Sequence, residues 1–163
     1  MKKRLSSLLV YISCVVSALL LSGCGKGDSH GLSPQNPTSI KVWHYYNGAL
    51  AAAFDELVSE FNNTVGRENG IVVYSESMST VAALESALWD SANEKVGAPY
   101  MPNIFQCYQD TATALDDVVQ LVDFDEYLSE DEKLSYVKLF LDSGCIGMDK
   151  KWKLFPVAKS TFS

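Results

Sequence analysis

Three short stretches of this sequence carry aromatic and polar side chains that could hold a small polyhydroxylated molecule. They are Tyr46 with Asn47, then Ser79, then Gln109 with Asp110, and each follows an apolar stretch. Aromatic rings stack on sugar faces, while amide, hydroxyl and carboxylate groups make directed hydrogen bonds. The three stretches together predict a binding site for a sugar or a similar polar solute. The alternative for the first stretch is that its tyrosines only cover the end of a sheet.

Groups that could perform catalysis are sparse. His44 and His30 are the two histidines, and His30 lies in a polar stretch that offers it no partner. The sequence contains no Gly-x-Ser-x-Gly elbow, no phosphate-binding loop and no His-Glu-x-x-His zinc motif. Cys107 and Cys145 lack the spacing of a zinc finger or ribbon. We therefore predict no enzyme activity, no cofactor and no metal site, although composition alone leaves a hydrolase with two acidic residues open.

The segments that would position these side chains alternate between strand and helix patterns. β-branched and aromatic residues predict strands from residue 40, at 71–74 and at 103–107. Apolar residues at helical spacing predict helices over about 49–65, 80–92 and 111–118, with Asn47 and Ser79 as N-caps. This order predicts an α/β fold with a mostly parallel sheet flanked by helices. Ligands of such folds bind outside the carboxyl ends of the strands, where the three stretches would lie.

The sequence after residue 118 predicts smaller elements. Residues 121–123 form a short extended piece, and a capping box at 129–132 begins a helix that carries Leu134, Val137, Leu139, Phe140 and Leu141. We expect Gly144 to end that helix. A hairpin is predicted over 148–155, with its turn at Asp149 and Lys150.

The first 24 residues have the pattern of a bacterial lipoprotein signal. A basic start is followed by an apolar run over residues 8–21, and Leu21-Ser22-Gly23-Cys24 resembles a lipobox. We predict that residues 1–23 are a signal peptide, that Cys24 receives the lipid, and that 24–39 is a flexible tether. The protein would then be exported and anchored on the outer face of the bacterial cytoplasmic membrane. An uncleaved anchor or an ordinary secretory signal is the alternative.

Charge and cysteine content agree with export. The net charge is −7, and removal of residues 1–23, which hold three basic and no acidic residues, makes it −10. An acidic domain without a basic stripe is a poor partner for nucleic acid, so we predict none. Outside the cytoplasm Cys107 and Cys145 could form a disulfide, but we favour two free thiols.

A series of short motifs runs through the chain in a characteristic order. They are Val42-Trp43-His44; Phe54-x-x-Leu57-Val58-x-x-Phe61-Asn62; Pro102-Asn103-Ile104 with Gln106 and Tyr108; Ala112-Thr113-Ala114; Leu121-Val122-Asp123; and Phe155-Pro156-Val157 with Ser160-Thr161. With these motifs the chain resembles the extracellular solute-binding proteins, family 1, of ATP-binding cassette (ABC) importers, especially the carbohydrate and glycerol-3-phosphate binders.

The resemblance implies the first lobe of a type II periplasmic-binding-protein-like fold. It also implies permease subunits as partners and a sugar, oligosaccharide or glycerol-phosphate-like solute. By position, it implies solute contacts at Tyr46, Asn47, Ser79, Gln109, Asp110, Lys159 and Ser160. The glycerol-3-phosphate binders have an aromatic residue at the position of Ser79 and a carboxylate at that of Gln109, which favours a sugar or oligosaccharide here.

The family has two lobes, whereas this chain ends where the first crossing between lobes would begin. We therefore expect residues 40–163 to form a partial N-terminal lobe, and the chain to be a truncated copy or an incomplete gene product. Two alternatives stay open: a lipid-anchored surface interaction module with no small-molecule ligand, and a fragment of a cell-wall carbohydrate hydrolase.

Overall fold

The computed structural model describes residues 31–157. The predictions for the signal peptide over residues 1–23 and for Cys24, Lys159 and Ser160 concern residues outside that range.

Within this range the fold is built on a three-stranded parallel sheet in the order β2-β1-β3. The strands are β1 (Thr38–His44), β2 (Ile71–Ser77) and β3 (Ile104–Phe105). The central strand β1 pairs with β2 along its whole length, whereas β3 pairs with it only at Val42 and Trp43. Because all three strands run in the same direction, their carboxyl ends meet at one edge.

The sheet is joined by helices that bury its central strand. The helices are α1 (Gly48–Asn63), α2 (Val65–Asn69), α3 (Val81–Ala92) and α4 (Gln109–Asp116). The core consists of Trp43 from β1, Leu84 and Leu88 from α3, and Leu115 from α4, each at most 1% exposed. Burial of each of these side chains contributes roughly 1.5–3 kcal/mol. This core fixes the direction in which the strands end.

The apolar face of α1 is only partly used. Phe54, Val58 and Phe61 are half-buried, as their helical spacing predicts. Leu50 and Leu57, which we expected on the same face, are 66% and 63% exposed. That part of the prediction is wrong, because a sheet of three strands covers only a narrow strip of the helix.

The outer edge of β2 is closed by a side chain of α1. The carboxamide of Asn62 donates from Nδ2 to the carbonyl of Val73 at 2.8 Å, and its Oδ1 accepts the N–H of Val73 at 2.8 Å. This pair of hydrogen bonds takes the place of a neighbouring strand at that residue.

Two strand boundaries differ from the prediction. β2 continues through Ser77, where we predicted a loop over 75–79, because backbone pairing with β1 extends to His44. β3 is shorter than the predicted strand over 103–107, since only two residues of β1 lie opposite it. β1 also begins two residues earlier than predicted, at Thr38.

Residues 120–157, which we call the hairpin region, contain short elements. They are a 3-10 turn (Phe124–Glu126), helices α5 (Glu130–Leu134) and α6 (Lys138–Asp142), and strands β4 (Cys145–Ile146) and β5 (Lys151–Trp152). The capping box is confirmed, because Ser129 Oγ accepts the Glu132 N–H at 3.3 Å and Glu132 Oε2 accepts the Ser129 N–H at 2.9 Å.

The single helix predicted after the capping box is wrong. It divides into α5 and α6, and its apolar residues remain on the surface, with Leu134 and Leu139 81% and 70% exposed. The predicted hairpin forms with its turn at Asp149 and Lys150, but its first strand lies before residue 148. Local hydrogen bonds specify each short turn, and no packed surface holds them in one helix.

Both cysteines in this range are free thiols, as we favoured. Burial raises the pKa of Cys107 to about 11, and the nearby Asp110 and Glu85 carboxylates add to the shift. No helix between residues 31 and 157 has the length and apolar character needed to cross a membrane.

Candidate functional site at the carboxyl ends of the strands

The loops that follow β1 and β2 are bonded to each other at the carboxyl edge of the sheet. Asn47 Nδ2 donates to the Ser79 carbonyl at 3.0 Å, and Ser77 Oγ donates to the Tyr46 carbonyl at 2.5 Å. The same Ser77 Oγ accepts the Ser79 N–H at 3.1 Å. Tyr46, Asn47 and Ser79 are therefore neighbours on one surface.

Neither predicted N-cap in these loops acts as one. Asn47 occupies the position before α1, but its side chain makes no capping hydrogen bond and reaches across to Ser79 instead. The cap of α3 is Thr80, whose Oγ1 accepts the Ala83 N–H at 3.1 Å. Ser79 has a φ of 63°, a left-handed conformation that is unusual for a residue with a side chain. This conformation turns the backbone from the end of β2 into the helix.

Aromatic rings connect the β1 loop to the loop after β3. The rings of Tyr45 and Tyr108 are stacked with centroids 6.3 Å apart, and Tyr46 lies 5.9 Å from Tyr45. Burial raises the pKa of Tyr45 to about 12, and a hydrogen bond with Tyr108 adds to the shift, so the hydroxyl stays protonated at neutral pH. Tyr108 itself is 52% exposed. The rings form a partly open apolar surface with hydroxyl groups at its border.

The side chain of Gln106 fixes the backbone of the first loop. Its Oε1 accepts the Tyr45 N–H at 3.3 Å, while its own N–H donates to the Trp43 carbonyl at 2.9 Å. Our site prediction did not include Gln106, whose role here is positional. Its place directly after β3, two residues before Tyr108, was the available signal.

The predicted site residues at the start of α4 make their hydrogen bonds elsewhere. Gln109 Nε2 donates to the Cys145 carbonyl at 3.4 Å, toward the hairpin region. Asp110 Oδ1 accepts the N–H of its neighbour Thr111 at 2.9 Å. Both side chains are exposed and follow Tyr108 directly, so they lie at the margin of the surface. We call residues 45–47, 77–79 and Tyr108 the strand-end surface.

The cavity described in the hairpin region lies away from this surface. It has a volume of about 280 Å³ and is bordered by Asp123, Tyr127, Lys151 and Lys153, among others. Its charges are already paired: Lys151 Nζ lies 2.8 Å from Asp123 Oδ2, and Lys153 Nζ lies 2.6 Å from Asp116 Oδ2. Within residues 31–157, no three His, Cys, Asp or Glu side chains are placed to hold a metal ion.

Comparison with known proteins identifies a sugar-binding protein with this fold. No protein-family profile matches the chain, and no curated protein sequence matches it. A matching solved structure is the cyclic α-maltosyl-1,6-maltose binding protein from Arthrobacter globiformis, with a TM-score of 0.54 and 25% sequence identity. The match covers 72% of this chain and 27% of that one.

The predicted α/β fold class is confirmed by this match and by the observed topology. A parallel sheet flanked by helices forms from residues 38–116, as the alternation of strand and helix patterns predicts. The matching protein is a binding protein by name, and the matched part of this chain spans little more than a quarter of it.

Proposed function

We propose that this chain binds a sugar as the solute-binding component of an ABC importer, of the extracellular solute-binding family 1 type. In this proposal Tyr46, Asn47 and Ser79 contact the solute directly, and Gln109 and Asp110 contact it from the margin. Lys159 and Ser160 are proposed as further contacts.

The observation that carries the proposal is the strand-end surface. Stacked Tyr45 and Tyr108 rings lie beside an amide and two hydroxyl side chains that share one hydrogen-bond network. Rings supply stacking on the apolar face of a pyranose, and the polar groups supply directed hydrogen bonds to its hydroxyls. The likeness to a cyclic maltosyl-maltose binding protein supports the same chemistry.

A neutral sugar fits this surface better than a phosphate ester. The residues at 45–47, 77–79 and Tyr108 carry rings, amides and hydroxyls, and none of them is Lys or Arg. Phosphate recognition usually relies on Arg, Lys or a helix N-terminus with several free N–H groups. We therefore favour a glucose oligosaccharide as the solute class.

Sugar titrations of the chain, followed by two-dimensional NMR, test this proposal. Because an open surface binds sugars weakly, cyclic maltosyl-maltose, maltotriose and glycerol 3-phosphate are added to millimolar concentration. We expect the maltose-type sugars to shift the amide signals of residues 45–47, 77–79 and 108, with glycerol 3-phosphate having little effect. Tyr46→Ala should weaken sugar binding about tenfold, equal to about 1.4 kcal/mol, because a ring contact is lost.

Tyr100→Ala is the matched control for this experiment. Tyr100 is 96% exposed in the loop before β3, at the opposite edge of the parallel sheet. Its replacement should leave binding unchanged. Equal weakening by both variants would contradict the assigned site. Shifts absent with every sugar would contradict sugar binding and favour an interaction module without a small-molecule ligand.

We also propose that Cys24 carries a lipid, that residues 24–39 act as a tether, and that the protein lies on the outer face of the cytoplasmic membrane. Growth of expressing bacteria with an alkyne-labelled fatty acid tests this. The wild-type chain should incorporate label and Cys24→Ala should not. Equal labelling of both would overturn the assignment.

Delivery of the solute to membrane permease subunits, and a place for residues 40–163 as the first of two lobes, belong to the same proposal. Uptake of labelled maltotriose in cells that carry the importer genes tests delivery. Uptake should fall when the gene for this chain is deleted and should return when the gene is restored. Uptake that persists after deletion would contradict it.

A further inference from the structure

The last residue of β1 is a buried histidine that lies under the strand-end surface. His44 is 2% exposed, and its ring packs edge-on against Phe54 of α1 with centroids 4.7 Å apart. The Tyr46 ring lies 5.3 Å away on the other side. A polar ring in such surroundings needs a hydrogen-bond partner.

That partner is the backbone of the loop it precedes. The Tyr46 N–H donates to His44 Nδ1 at 3.2 Å. An imidazole nitrogen that accepts a hydrogen bond carries no proton, so the ring is neutral with its proton on Nε2. A protonated imidazolium has N–H groups at both nitrogens and cannot accept this bond.

The bond is one part of a continuous network. The Tyr46 carbonyl accepts from Ser77 Oγ, which also accepts the Ser79 N–H, and the Met78 N–H donates to the His44 carbonyl at 2.8 Å. The backbone and side chain of His44 therefore hold the β1 loop and the β2 loop together. Loss of the Tyr46 contact would loosen the peptide that presents the Tyr46 ring.

We propose that His44 is a positioning residue that holds the strand-end surface in its binding conformation through Nδ1, and that protonation of its imidazole releases Tyr46 and weakens solute binding. The second half of this inference rests on the sugar-binding function proposed above. The first half does not depend on any ligand.

The charged groups around His44 oppose each other. Burial lowers the pKa of His44 below its ordinary value of 6.5, while the Asp55 carboxylate on α1 raises it in part. From β2, Ser77 lies opposite His44 and is uncharged; Glu76 lies opposite Trp43 and is engaged by Lys41 Nζ at 2.9 Å. The neutral form therefore dominates at neutral pH, and the charged form appears in mildly acidic conditions.

Two substitutions separate the acceptor from the ring. In His44→Asn the side-chain oxygen Oδ1 stands at the same bond count from the backbone as Nδ1, so it can accept the Tyr46 N–H at every pH. In His44→Phe the ring is kept against Phe54 and the acceptor is lost. Both are compared with the wild-type full chain, labelled with ¹⁵N and held in detergent micelles because of its apolar N-terminal run.

The measurement is the amide signal and the exchange rate of Tyr46 between pH 7.5 and pH 5, corrected for the intrinsic effect of pH on exchange. In the wild type, the Tyr46 amide should follow the titration of the His44 ring, with protection falling about tenfold. His44→Asn should remove this pH dependence, and His44→Phe should have low protection throughout. The Leu88 amide in the core serves as the reference for global opening.

Three results would overturn the inference. The Tyr46 amide could stay unchanged while His44 titrates, the His44→Asn variant could keep the wild-type pH dependence, or Leu88 could lose protection together with Tyr46, which would make the role purely structural. The affinity for maltotriose should fall at least threefold from pH 7.5 to pH 5 in the wild type and not in His44→Asn. An affinity unchanged with pH would overturn the link to binding. If no sugar binds at any pH, the proposed function fails, and the amide measurements still decide whether His44 positions the surface.

Discussion

The region of the parallel sheet, residues 38–119, and the hairpin region, residues 120–157, use different means to hold their shape. The sheet region buries Trp43, Leu84, Leu88 and Leu115 from a strand and two helices that are far apart in sequence. A core of this kind ties together elements with long connections, so the strands end at fixed places. The strand-end surface depends on it.

The hairpin region has fewer buried side chains and relies on local contacts. Trp152 is 3% exposed and is surrounded by Phe124 and Phe155, whose ring centroids lie 5.5 Å and 5.7 Å from it. Gly144 permits this packing, because a Cβ there would lie 2.9 Å from the Trp152 ring. The pair between Lys153 and Asp116 of α4 fastens the hairpin region to the sheet region.

The difference teaches where a single substitution acts. In the sheet region, one lost core contact weakens elements that position the candidate site. In the hairpin region, one lost contact affects the nearest turn, because few apolar residues connect the turns. The following substitutions test this contrast, in order of decreasing effect.

Leu88→Ala should have the largest effect. Leu88 is fully buried in the sheet region, so its truncation leaves a cavity and should lower the free energy of unfolding by about 2–5 kcal/mol. Leu139→Ala is the matched control in the hairpin region, since Leu139 is 70% exposed, and should cost less than about 0.5 kcal/mol. Urea unfolding followed by circular dichroism measures both. Similar costs would show that the two regions share one core.

Lys153→Met should have an intermediate effect that is confined to the hairpin region. It leaves the Asp116 carboxylate, whose side chain is 18% exposed, without its cation at a cost of about 1–3 kcal/mol. Hydrogen exchange should increase at β4 and β5 while the Leu88 amide keeps its protection.

The control for this substitution is Lys138→Met. Lys138 pairs with Asp142 at side-chain exposures of 85% and 55%, so its loss should cost less than about 0.5 kcal/mol. An exchange increase at Leu88 as large as that at β5 would contradict local action.

Acid should separate the two regions at different pH values, with the smallest effect. The pKa of His44 is lowered, so its stabilising contribution is complete above pH 6.5 and is lost as pH falls below that value. In the hairpin region the Lys151 ammonium lowers the pKa of Asp123, so its contribution is complete above pH 3.8 and is lost only below it. Amide exchange at Met78 and Ile146 measures the two windows. A single shared midpoint would contradict independent regions.

The sequence was sufficient for the parts of the fold that local chemistry determines. The β-branched strands, the helical spacing of Leu84 and Leu88, and the Ser129 capping box all predicted what forms. Failures came where distant partners decide. The length of β2 follows from pairing with β1, and Leu50 and Leu57 are exposed because too little of the sheet lies beside α1.

The candidate site was predictable in its location and less so in its details. Parallel strands bring residues 45–47 and 77–79 to one edge, as expected, and the bond between Asn47 and Ser79 agrees with that placement. The roles of Gln106 and His44 depend on backbone hydrogen bonds made in three dimensions, which residue types do not reveal. Solute contacts by any of these residues stay a prediction.

The carboxamide of Asn62 gives the sheet a direction of growth. It occupies the donor and acceptor of Val73, so an incoming strand meets a blocked position midway along β2. The outer side of β3, by contrast, has no strand partner among residues 31–157, and Ile104 there is 55% exposed. Any strand recruited from elsewhere, whether to complete the sheet or to start an aggregate, would therefore join at β3.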